Sequence, residues 1–316
     1  MQVFRSPAEV PADFGPSVVT IGKFDGVHAG HRAVLQRLVT LAEERGLLSA
    51  VVTFDRNPLS LLRPEVCPDA LLSNDQKLEM LAESGIAATL MAAFDRPFSE
   101  LSPESFVSTV LVDALHASAV LAGSDFRFGA RNSGDITLLR ELGATRGIEV
   151  VVIDDLARDG GRRVSSTWVR ELLAEGRVAE AATLLGRLPS IRSIVVHGEQ
   201  RGRTLGYPTA NLSPQIEGYI PADGVYAAWL VVDGTKYPAA VSIGNNPTFE
   251  GVPDKQVEAH AIDASLDLYD RVVEIEFVEY VRGMRKFSGA DALAEQMASD
   301  ETRVRGVLGV PPKQHP

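Results

Sequence analysis

Two histidines three residues apart lie in a glycine-punctuated segment near the start of the chain. Residues 22–31 read GKFDGVHAGH. The apolar run before this segment predicts a buried parallel strand, and apolar residues at helical spacing after it predict a helix. His28 and His31 then lie on one face of the first helical turn. Free amides and the dipole at a helix N-terminus favour an anion, and glycine lets phosphate approach the backbone. The pattern favours a phosphate-holding turn over the ordinary alternative, a surface HxxH pair without function.

A second stretch, GEQRGRTLGYPTAN, spans residues 198–211 and combines glycines with two arginines. Such a loop can wrap a phosphate, but it is not a P-loop because it has no Gly-Lys-Ser/Thr. Thr209 and Asn211 alternate on one side of an extended segment, and their oxygens are hard donors suited to Mg²⁺ carried by ATP. From these residues alone, an ordinary turn loop is slightly favoured over a nucleotide site.

Two further patterns have both a plain and a functional interpretation. A serine/threonine cluster between arginines, RVSSTWVR, occupies residues 163–170. It is equally typical of a simple helix N-cap and of a second phosphate-binding helix start. Glu258 lies in a run of alternating apolar residues, so it projects from a strand, where a glutamate more often faces solvent than takes part in catalysis.

The elements that must position these residues follow two different patterns. Up to about residue 185, strand-like runs alternate with helical patterns, which predicts an α/β domain with a doubly wound parallel sheet. From Ser190 onward strand follows strand, which predicts a small antiparallel β-barrel with a closing helix from Ala290 to Leu308. We place the boundary inside LGRLPS, which gives domains 1–186 and 187–316. The predicted strands are 18–21, 48–54, 86–93, 118–123 and 148–153 in the first domain, then 191–197, 224–232, 236–243, 257–263 and 271–278.

Composition narrows the class of protein. The chain has 316 residues, 45% of them hydrophobic and 23% charged, which is ordinary for a globular protein of two domains. A net charge of −11 argues against a nucleic-acid partner. The single cysteine, Cys67, excludes an internal disulfide and a cysteine-based zinc site and fits a reducing compartment. Without a signal-peptide pattern or an apolar run of bilayer length, we expect a cytoplasmic protein with no membrane partner.

The first motif, G-x-F-D-G-V-H-x-G-H, resembles the HxGH motif of the nucleotidyltransferase superfamily. In its longer form it resembles that of the prokaryotic bifunctional riboflavin kinase/FAD synthetase family. The resemblance implies that His28 and His31 contact the triphosphate of ATP, and that RVSSTWVR is the family's I-S-S-T-x-x-R motif, which closes on the ATP phosphates. It also implies that Asp125 and Phe128 line a flavin pocket. The ATP-binding residues implied for this half are Gly22, Phe24, Asp25, Gly30, Arg163, Ser166, Thr167 and Arg170.

The second half carries the motif GRTLGYPTANL, which resembles the riboflavin kinase motif G-R-x-L-G-x-P-T-A-N. The stretches SIGNNPTFEG and VEAH, beginning at Ser242 and Val257, match the same module. The resemblance implies that Glu258 is the general base that takes the proton from the riboflavin 5′-hydroxyl, and that Thr209 and Asn211 bind Mg²⁺. The ATP-binding residues implied for this half are Gly198, Arg203, Gly206, Pro208, Thr209 and Asn211.

Together the two resemblances imply a bifunctional transferase. The C-terminal domain phosphorylates riboflavin with ATP to give FMN, and the N-terminal domain transfers AMP from ATP to FMN, which gives FAD and pyrophosphate. The implied cofactor is Mg²⁺, and the implied partners are the small molecules ATP, riboflavin, FMN and FAD. We expect a monomer or a weak homo-oligomer.

Three positions depart from the family pattern. Asp55-Arg56-Asn57-Pro58 replaces Asp/Glu-Pro-His-Pro, Asp125 replaces an asparagine of some members, and Asp270 stands where glycine is common. The missing imidazole at Asn57 leaves open a riboflavin kinase with a degenerate adenylyltransferase half. Two other classes are a non-catalytic flavin-binding regulator and an adenylyltransferase for a different phosphorylated substrate, although the GRTLGYPTANL module argues against the latter.

Overall fold

The computed structural model describes residues 1–153, 158–197, 207–244 and 255–312. The chain divides into two compact units, Met1–Ser165 and Ser166–Pro316. This division comes before the two helices at Ser166–Ala174 and Val178–Leu185, whereas the boundary expected from the sequence comes after them. The domain limits 1–186 and 187–316 therefore stay a prediction about the two catalytic modules.

The first unit is built on a parallel sheet. Its strands among the described residues are β1 (Gln2–Phe4), β2 (Ser17–Ile21), β3 (Leu48–Phe54), β4 (Ala88–Ala92), β5 (Ala117–Gly123), β6 (Arg127–Phe128), β7 (Gly134–Asp135), β8 (Glu149–Ile153), β9 (Arg158–Asp159) and β10 (Arg162–Arg163). The sheet has the order β1-β4-β3-β2-β5-β8, and every neighbouring pair in it is parallel. β6 with β7 and β9 with β10 form separate antiparallel ribbons.

The order of this sheet reverses between β2 and β5. The chain proceeds from β2 to β3 and β4 on one side, then returns to add β5 and β8 on the other. In doubly wound sheets, ligands bind at such a switch point, beyond the carboxyl ends of the strands. The expected doubly wound sheet is confirmed, and its switch point lies between the turn that follows Ile21 and the loop that follows Gly123.

Helices cover this sheet, which buries its central strands. The described helices of the first unit are α1 (Ala29–Arg45), α2 (Pro58–Leu62), α3 (Asn74–Glu83), α4 (Arg96–Ser99), α5 (Pro103–Phe106) and α6 (Ile136–Ala144), with 3₁₀ turns at Pro7–Glu9, Pro64–Val66 and Ala130–Asn132. α5 continues into a π-helical segment, Val107–Ala114. Val18, Val19 and Val52 have no exposed surface, as expected for parallel strands covered on both faces.

The second unit is a closed antiparallel barrel with helices against it. Its described elements are α7 (Ser166–Ala174), α8 (Val178–Leu185), β11 (Ser190–Val196), β12 (Ala210–Leu212), β13 (Gly224–Val232), β14 (Thr235–Gly244), β15 (Gln256–Ala261), β16 (Val272–Arg282) and α9 (Ala290–Leu308). The strand order is β11-β12-β15-β14-β13-β16. A hairpin at Asp233-Gly234 joins β13 to β14, and these two residues have φ of 47° and 76°. Positive φ at both positions matches a type I′ turn.

The closing helix α9 is fixed to the barrel by ion pairs, in which its own Asp300 and Arg305 are buried. Arg282, at the end of β16, donates from Nη2 to Asp300 at 2.6 Å. Arg305 is 4% exposed and donates to Glu301 on its own helix and to Asp263, which follows β15. These bonds raise the pKa of Arg305, chiefly through Asp263, so the guanidinium stays charged. A buried arginine is tolerated only when such partners satisfy it.

In the described part of the chain, no helix is both long enough and apolar enough to cross a membrane.

Candidate active sites

The two histidines lie where the strand–turn–helix pattern places them, at the N-terminus of α1. His28 is the N-cap residue, and its ring Nδ1 accepts a hydrogen bond from the backbone N–H of His31 at 3.4 Å. The helix begins at Ala29, so His31 is its third residue. The imidazole rings stack, with centroids 3.7 Å apart and planes 16° apart. One face of the first turn therefore presents both imidazoles beside the helix amides.

The environment of His31 favours a bound anion. Its Nδ1 atom is buried and has no hydrogen-bond partner within the described ranges. Burial lowers the pKa of His31 well below its usual value, and the nearby His28, Arg163 and Lys23 lower it further. The ring is therefore neutral at neutral pH, in a region where positive charges converge. An anionic phosphate group there would be attracted by those charges and by the helix dipole.

Gly22 and Phe24 shape the turn between β2 and α1. Phe24 has a φ of 48° and is 2% exposed. Its ring packs against His31 with centroids 5.1 Å apart. A Cβ at Gly22 would lie 3.0 Å from that ring, so a larger residue would displace it. The Phe24 ring therefore packs against the histidine pair, and the absence of a side chain at Gly22 leaves room for it. ATP binding by these two residues stays a prediction.

The segment that precedes α3 and the first turn of α3 hold two loops at the carboxyl edge of the sheet through hydrogen bonds. Asp25 Oδ1 accepts from the backbone N–H of Leu71 at 2.8 Å. Asn74 Nδ2 donates to the carbonyl of Asp55 at 2.7 Å, and Lys77 Nζ donates to the carbonyl of Phe54 at 2.7 Å. The turn after β2 and the loop after β3 are thus held by one stretch of chain.

Lys77 is a residue of this site that the sequence analysis missed. Its side chain is only 8% exposed. Burial lowers the pKa of Lys77, while the negative charges of Asp25 and Asp55 act in the opposite direction. The available signal was its position four residues before Leu81, on the buried face of α3. A lysine within a helix normally indicates a solvated face, so this signal is weak.

Asn57, which replaces the family's histidine, has a local structural role. Its Oδ1 accepts from the backbone N–H of Leu59 at 3.1 Å, and Pro58 occupies the first position of α2. Asparagine is among the best N-cap residues, and proline suits the first helical position. The departure from the family pattern therefore keeps the loop ordered as the start of a short helix.

Asp125 and Arg163 form an ion pair on the other side of the switch point. Arg163 Nη1 lies 2.7 Å from Asp125 Oδ2, and both side chains are more than half exposed. The hydrogen bond from Arg163 lowers the pKa of Asp125. Because Arg163 also acts electrostatically on His31, this pair lies close to the histidine turn.

Phe128, which we expected in the flavin pocket, lies in the apolar core. It is 6% exposed and packs against Phe106 at a centroid distance of 5.8 Å. Its ring stacks on that of Phe126, with centroids 5.5 Å apart and planes 9° apart. Phe126 is only partly buried, so it is the more accessible ring of the two. A flavin-binding role for Phe128 stays a prediction.

Three of the remaining predicted ATP-binding residues of this half lie in the second unit, and the fourth, Gly30, lies in the first. Ser166, Thr167 and Arg170 occupy α7, with Thr167 exposed and the other two partly buried. Gly30 is the second residue of α1, between the two histidines. The approach of the α7 residues to the histidine turn stays a prediction.

In the barrel, the predicted kinase residues meet across adjacent strands. Asn211 on β12 lies directly opposite Glu258 on β15, and Ser242 on β14 lies opposite Glu258 on the other side. Thr209 Oγ1 is 3.5 Å from Glu258 Oε2. Val257 and Ala259 are buried inside the barrel, so Glu258 faces outward with Asn211 and Ser242. The carboxylate, the hydroxyl and the amide therefore share one patch on the outer face of the barrel.

Three predicted residues of the kinase half cannot be placed. Gly198, Arg203 and Gly206 lie outside the described residues, as does most of SIGNNPTFEG. Pro208 is described and is exposed.

Comparison with known proteins identifies both halves. The family model described as FAD synthetase matches residues 10–168, and the model described as riboflavin kinase matches residues 185–308. The bifunctional riboflavin kinase/FMN adenylyltransferase of Escherichia coli K12 is 39% identical over 294 residues, which is 93% of each chain. The protein of the same name from Listeria monocytogenes is 36% identical over 91% of each chain.

One solved structure supports the fold of the whole chain. A crystal structure described as a macrolide-efflux protein from Streptococcus pneumoniae is 30% identical, with a TM-score of 0.85 over 96% of this chain and 98% of that one. The efflux role in that description is said of the Streptococcus pneumoniae protein alone. The match shows that the two chains share a fold. With both family models in the expected order and relatives similar over nine-tenths of their length, the chain belongs to the bifunctional riboflavin kinase/FMN adenylyltransferase family.

Proposed function

We propose that this chain carries out both reactions of flavin-cofactor synthesis, phosphorylation of riboflavin to FMN and adenylylation of FMN to FAD. The observation that carries the proposal is that each half brings its own predicted residues together. In the first unit the two imidazoles stack at a helix N-terminus, and in the second Thr209, Asn211 and Glu258 share one patch. The alternative of a kinase with a degenerate adenylyltransferase half is not favoured, because the histidine turn is intact and Asn57 keeps its loop ordered.

In the adenylylation step, a phosphate oxygen of FMN attacks the α-phosphorus of ATP, and the bond to the bridging oxygen breaks to release pyrophosphate. The FMN phosphate is already an anion at neutral pH, so no strong base is needed. The work of the protein is to align the two phosphates and to stabilise charge on the leaving group. We assign this work to His28, His31 and the helix amides, with Arg163, Ser166, Thr167 and Arg170 as further phosphate contacts.

The neutral state of His31 fits this role. A neutral imidazole can donate from one ring nitrogen to a phosphate oxygen. As negative charge grows on the leaving pyrophosphate, the nearby cations Arg163 and Lys23 also act on it. Asp25 orients the turn through its bond to Leu71, and Asp125 with Phe128 is proposed to line the flavin side.

In the phosphorylation step, Glu258 takes the proton from the riboflavin 5′-hydroxyl while that oxygen attacks the γ-phosphorus of ATP. Phosphoryl transfer depends mainly on positioning and charge neutralisation, so one base and a metal-bound nucleotide suffice. Thr209 and Asn211 offer the hard oxygen donors that Mg²⁺ prefers, beside the carboxylate, and would hold the ion together with the ATP phosphates. When bound, Mg²⁺ neutralises charge on the transferred phosphoryl group.

The finer assignments are part of this proposal. Residues 1–186 form the adenylyltransferase and 187–316 the kinase, with Gly198, Arg203, Gly206 and Pro208 completing the kinase nucleotide loop. The chain works in the cytoplasm as a monomer or weak homo-oligomer. The assignment of the two modules is supported by the order of the motifs and by the family to which the chain belongs.

The test is chromatography of the products from the purified chain. With riboflavin, ATP and Mg²⁺, we expect FMN to accumulate first and FAD to follow. With FMN in place of riboflavin, FAD and pyrophosphate should form directly. FMN production without any FAD in either mixture would favour the kinase-only alternative, and binding of flavin without consumption of ATP would indicate a non-catalytic protein.

A further inference from the structure

The backbone just before β12 is held by a side chain and not by strand pairing. β12 pairs with β15 through Ala210 opposite Ala259 and Asn211 opposite Glu258. The strand begins at Ala210, and the preceding Pro208 has no N–H to extend the ladder. His260, the residue after Ala259 on β15, reaches this point: its ring Nδ1 lies 2.8 Å from the carbonyl oxygen of Pro208.

The direction of this hydrogen bond fixes the state of the ring. A carbonyl oxygen can only accept, so Nδ1 of His260 must carry the proton. The ring of Tyr207 also packs edge-on against His260, with centroids 5.2 Å apart and planes at 67°. The imidazole is thus held on one side by an aromatic ring and bonded on the other to the bend at Pro208.

The same strand carries both this donor and the proposed base. Glu258 and His260 are two residues apart on β15, so their side chains leave the same face of the barrel. Thr209, one residue after the held carbonyl, brings its Oγ1 to 3.5 Å from Glu258 Oε2. Because Thr209 precedes the paired part of β12, the position of its hydroxyl depends on how the bend at Pro208 is held.

We propose that His260 is a positioning residue for riboflavin phosphorylation, whose Nδ1–H holds the Pro208–Thr209 bend so that the Thr209 hydroxyl faces Glu258. This inference rests on the proposed kinase function. His260 acts through Thr209 and does not itself touch the reacting atoms. Displacing a binding group by about 1 Å can lower a reaction rate by about 10²-fold. One neutral hydrogen bond contributes much less than this to folding stability, so the rate is the more sensitive readout.

Three substitutions at position 260 distinguish the effect of the Nδ1–H donor from the effect of the aromatic ring. His260→Asn keeps an N–H donor one bond from Cγ, where Nδ1 stands, whereas His260→Gln moves its amide one bond further, toward the place of Nε2. His260→Phe keeps the aromatic contact with Tyr207 and removes the donor. We expect the Phe and Gln variants to lose about 10- to 100-fold in kcat for phosphorylation with little change in KM for riboflavin. The Asn variant should stay within about threefold of the unmodified chain.

Two further readouts on the full-length chain accompany these rates. Adenylylation of FMN, which uses the first unit, should stay unchanged in every variant. Amide hydrogen exchange of the peptide covering 207–212, measured by mass spectrometry, should be faster in the Phe and Gln variants and unchanged in the Asn variant.

The outcomes separate this inference from the proposed function. Wild-type rates and exchange in His260→Phe would overturn it, and so would an equal loss in the Asn and Phe variants, because the effect would not depend on the Nδ1 donor. An unmodified chain that makes no FMN would overturn the proposed function, and the positioning role of His260 in phosphorylation with it. In that case the exchange result still decides whether the histidine holds the bend.

Discussion

Leu71, Asn74 and Lys77 hold the turn after β2 and the loop after β3, and we call these contacts the clamp on the first site. Replacing Lys77 by methionine tests whether the clamp depends on the charge of the ammonium group. Methionine keeps an unbranched apolar stem of similar length but removes the ammonium group. The lost bond to the carbonyl of Phe54 involves a charged donor, and such bonds contribute about 1.5–3 kcal/mol. The change also leaves Asp25 and Asp55 without the buried cation that faces both. Part of this loss is recovered because an ammonium no longer has to be desolvated. We expect the free energy of unfolding of the first unit to fall by about 2 kcal/mol.

The effect on catalysis should be confined to adenylylation. Lys77 and the neighbouring bond from Leu71 to Asp25 hold the turn that carries the histidines, so a small shift there should lower the rate of FAD formation by about 10- to 100-fold. Urea unfolding followed by circular dichroism gives the stability, and separate assays with riboflavin and with FMN give the two activities. Phosphorylation of riboflavin is the internal control and should not change.

A second substitution distinguishes charge from simple packing. In Lys77→Met/Asp55→Asn, the neutral amide removes one of the two carboxylate charges and can still accept from Phe94 as Asp55 Oδ1 does. If charge is the reason for the loss, the double variant should regain at least half of the lost activity and stability. Identical values for the single and double variants would refute the electrostatic reasoning. A Lys77→Met variant as active and stable as the unmodified chain would refute the clamp itself.

Three other predictions concern the histidine turn and two departures from the family pattern. Because burial lowers the pKa of His31, the unfolded chain takes up a proton below about pH 6.5 that the folded chain does not, so stability should fall with decreasing pH by at most about 1.4 kcal/mol per unit from this group. His31→Phe, which keeps a ring on His28, should remove that part of the pH dependence in urea titrations at pH 7 and pH 5.5, and an unchanged slope would contradict it. Asn57→Ala should lower the free energy of unfolding by about 1 kcal/mol through loss of the α2 cap, whereas Asn57→Asp should not, and equal effects would exclude capping. Asp270 has a φ of 60°, so Asp270→Ala should cost about 1 kcal/mol while Asp270→Gly is tolerated, and the same midpoint for both in urea would show that this φ is unimportant.

Much of the architecture was predictable because it depends on patterns that repeat along the chain. Strand-like apolar runs that alternate with segments of helical spacing predicted the parallel sheet. The apolar run in front of residues 22–31 predicted the turn that positions His28. The three-residue strands β1 and β12 were not predicted because three residues show no measurable period. The change from α- to π-helix after Phe106 also has no signal in periodicity, since the buried residues Val107, Val110, Leu111 and Ala114 keep the three- and four-residue spacing typical of an α-helix.

The supporting residues of both sites were less predictable than the motif residues. Lys77 lies in a helix, where a lysine normally faces solvent, and only the fold brings it close to Asp25 in the turn after β2 and to Asp55 in the loop after β3. The bond from His260 to Pro208 joins residues 52 positions apart, and only the pairing of β12 with β15 brings them together. Asp270 stands where the family often has glycine, and its backbone there is left-handed, with a φ of 60°.

The central claim is that one chain holds two independent catalytic sites, one at the stacked histidines and one at Glu258. The most direct measurement assays riboflavin phosphorylation and FMN adenylylation separately in Glu258→Ala and in His31→Ala. We predict that Glu258→Ala loses about 10²- to 10⁴-fold in phosphorylation and keeps adenylylation, and that His31→Ala shows the reverse. Loss of both activities in either variant, or full FAD synthesis by His31→Ala, would contradict it.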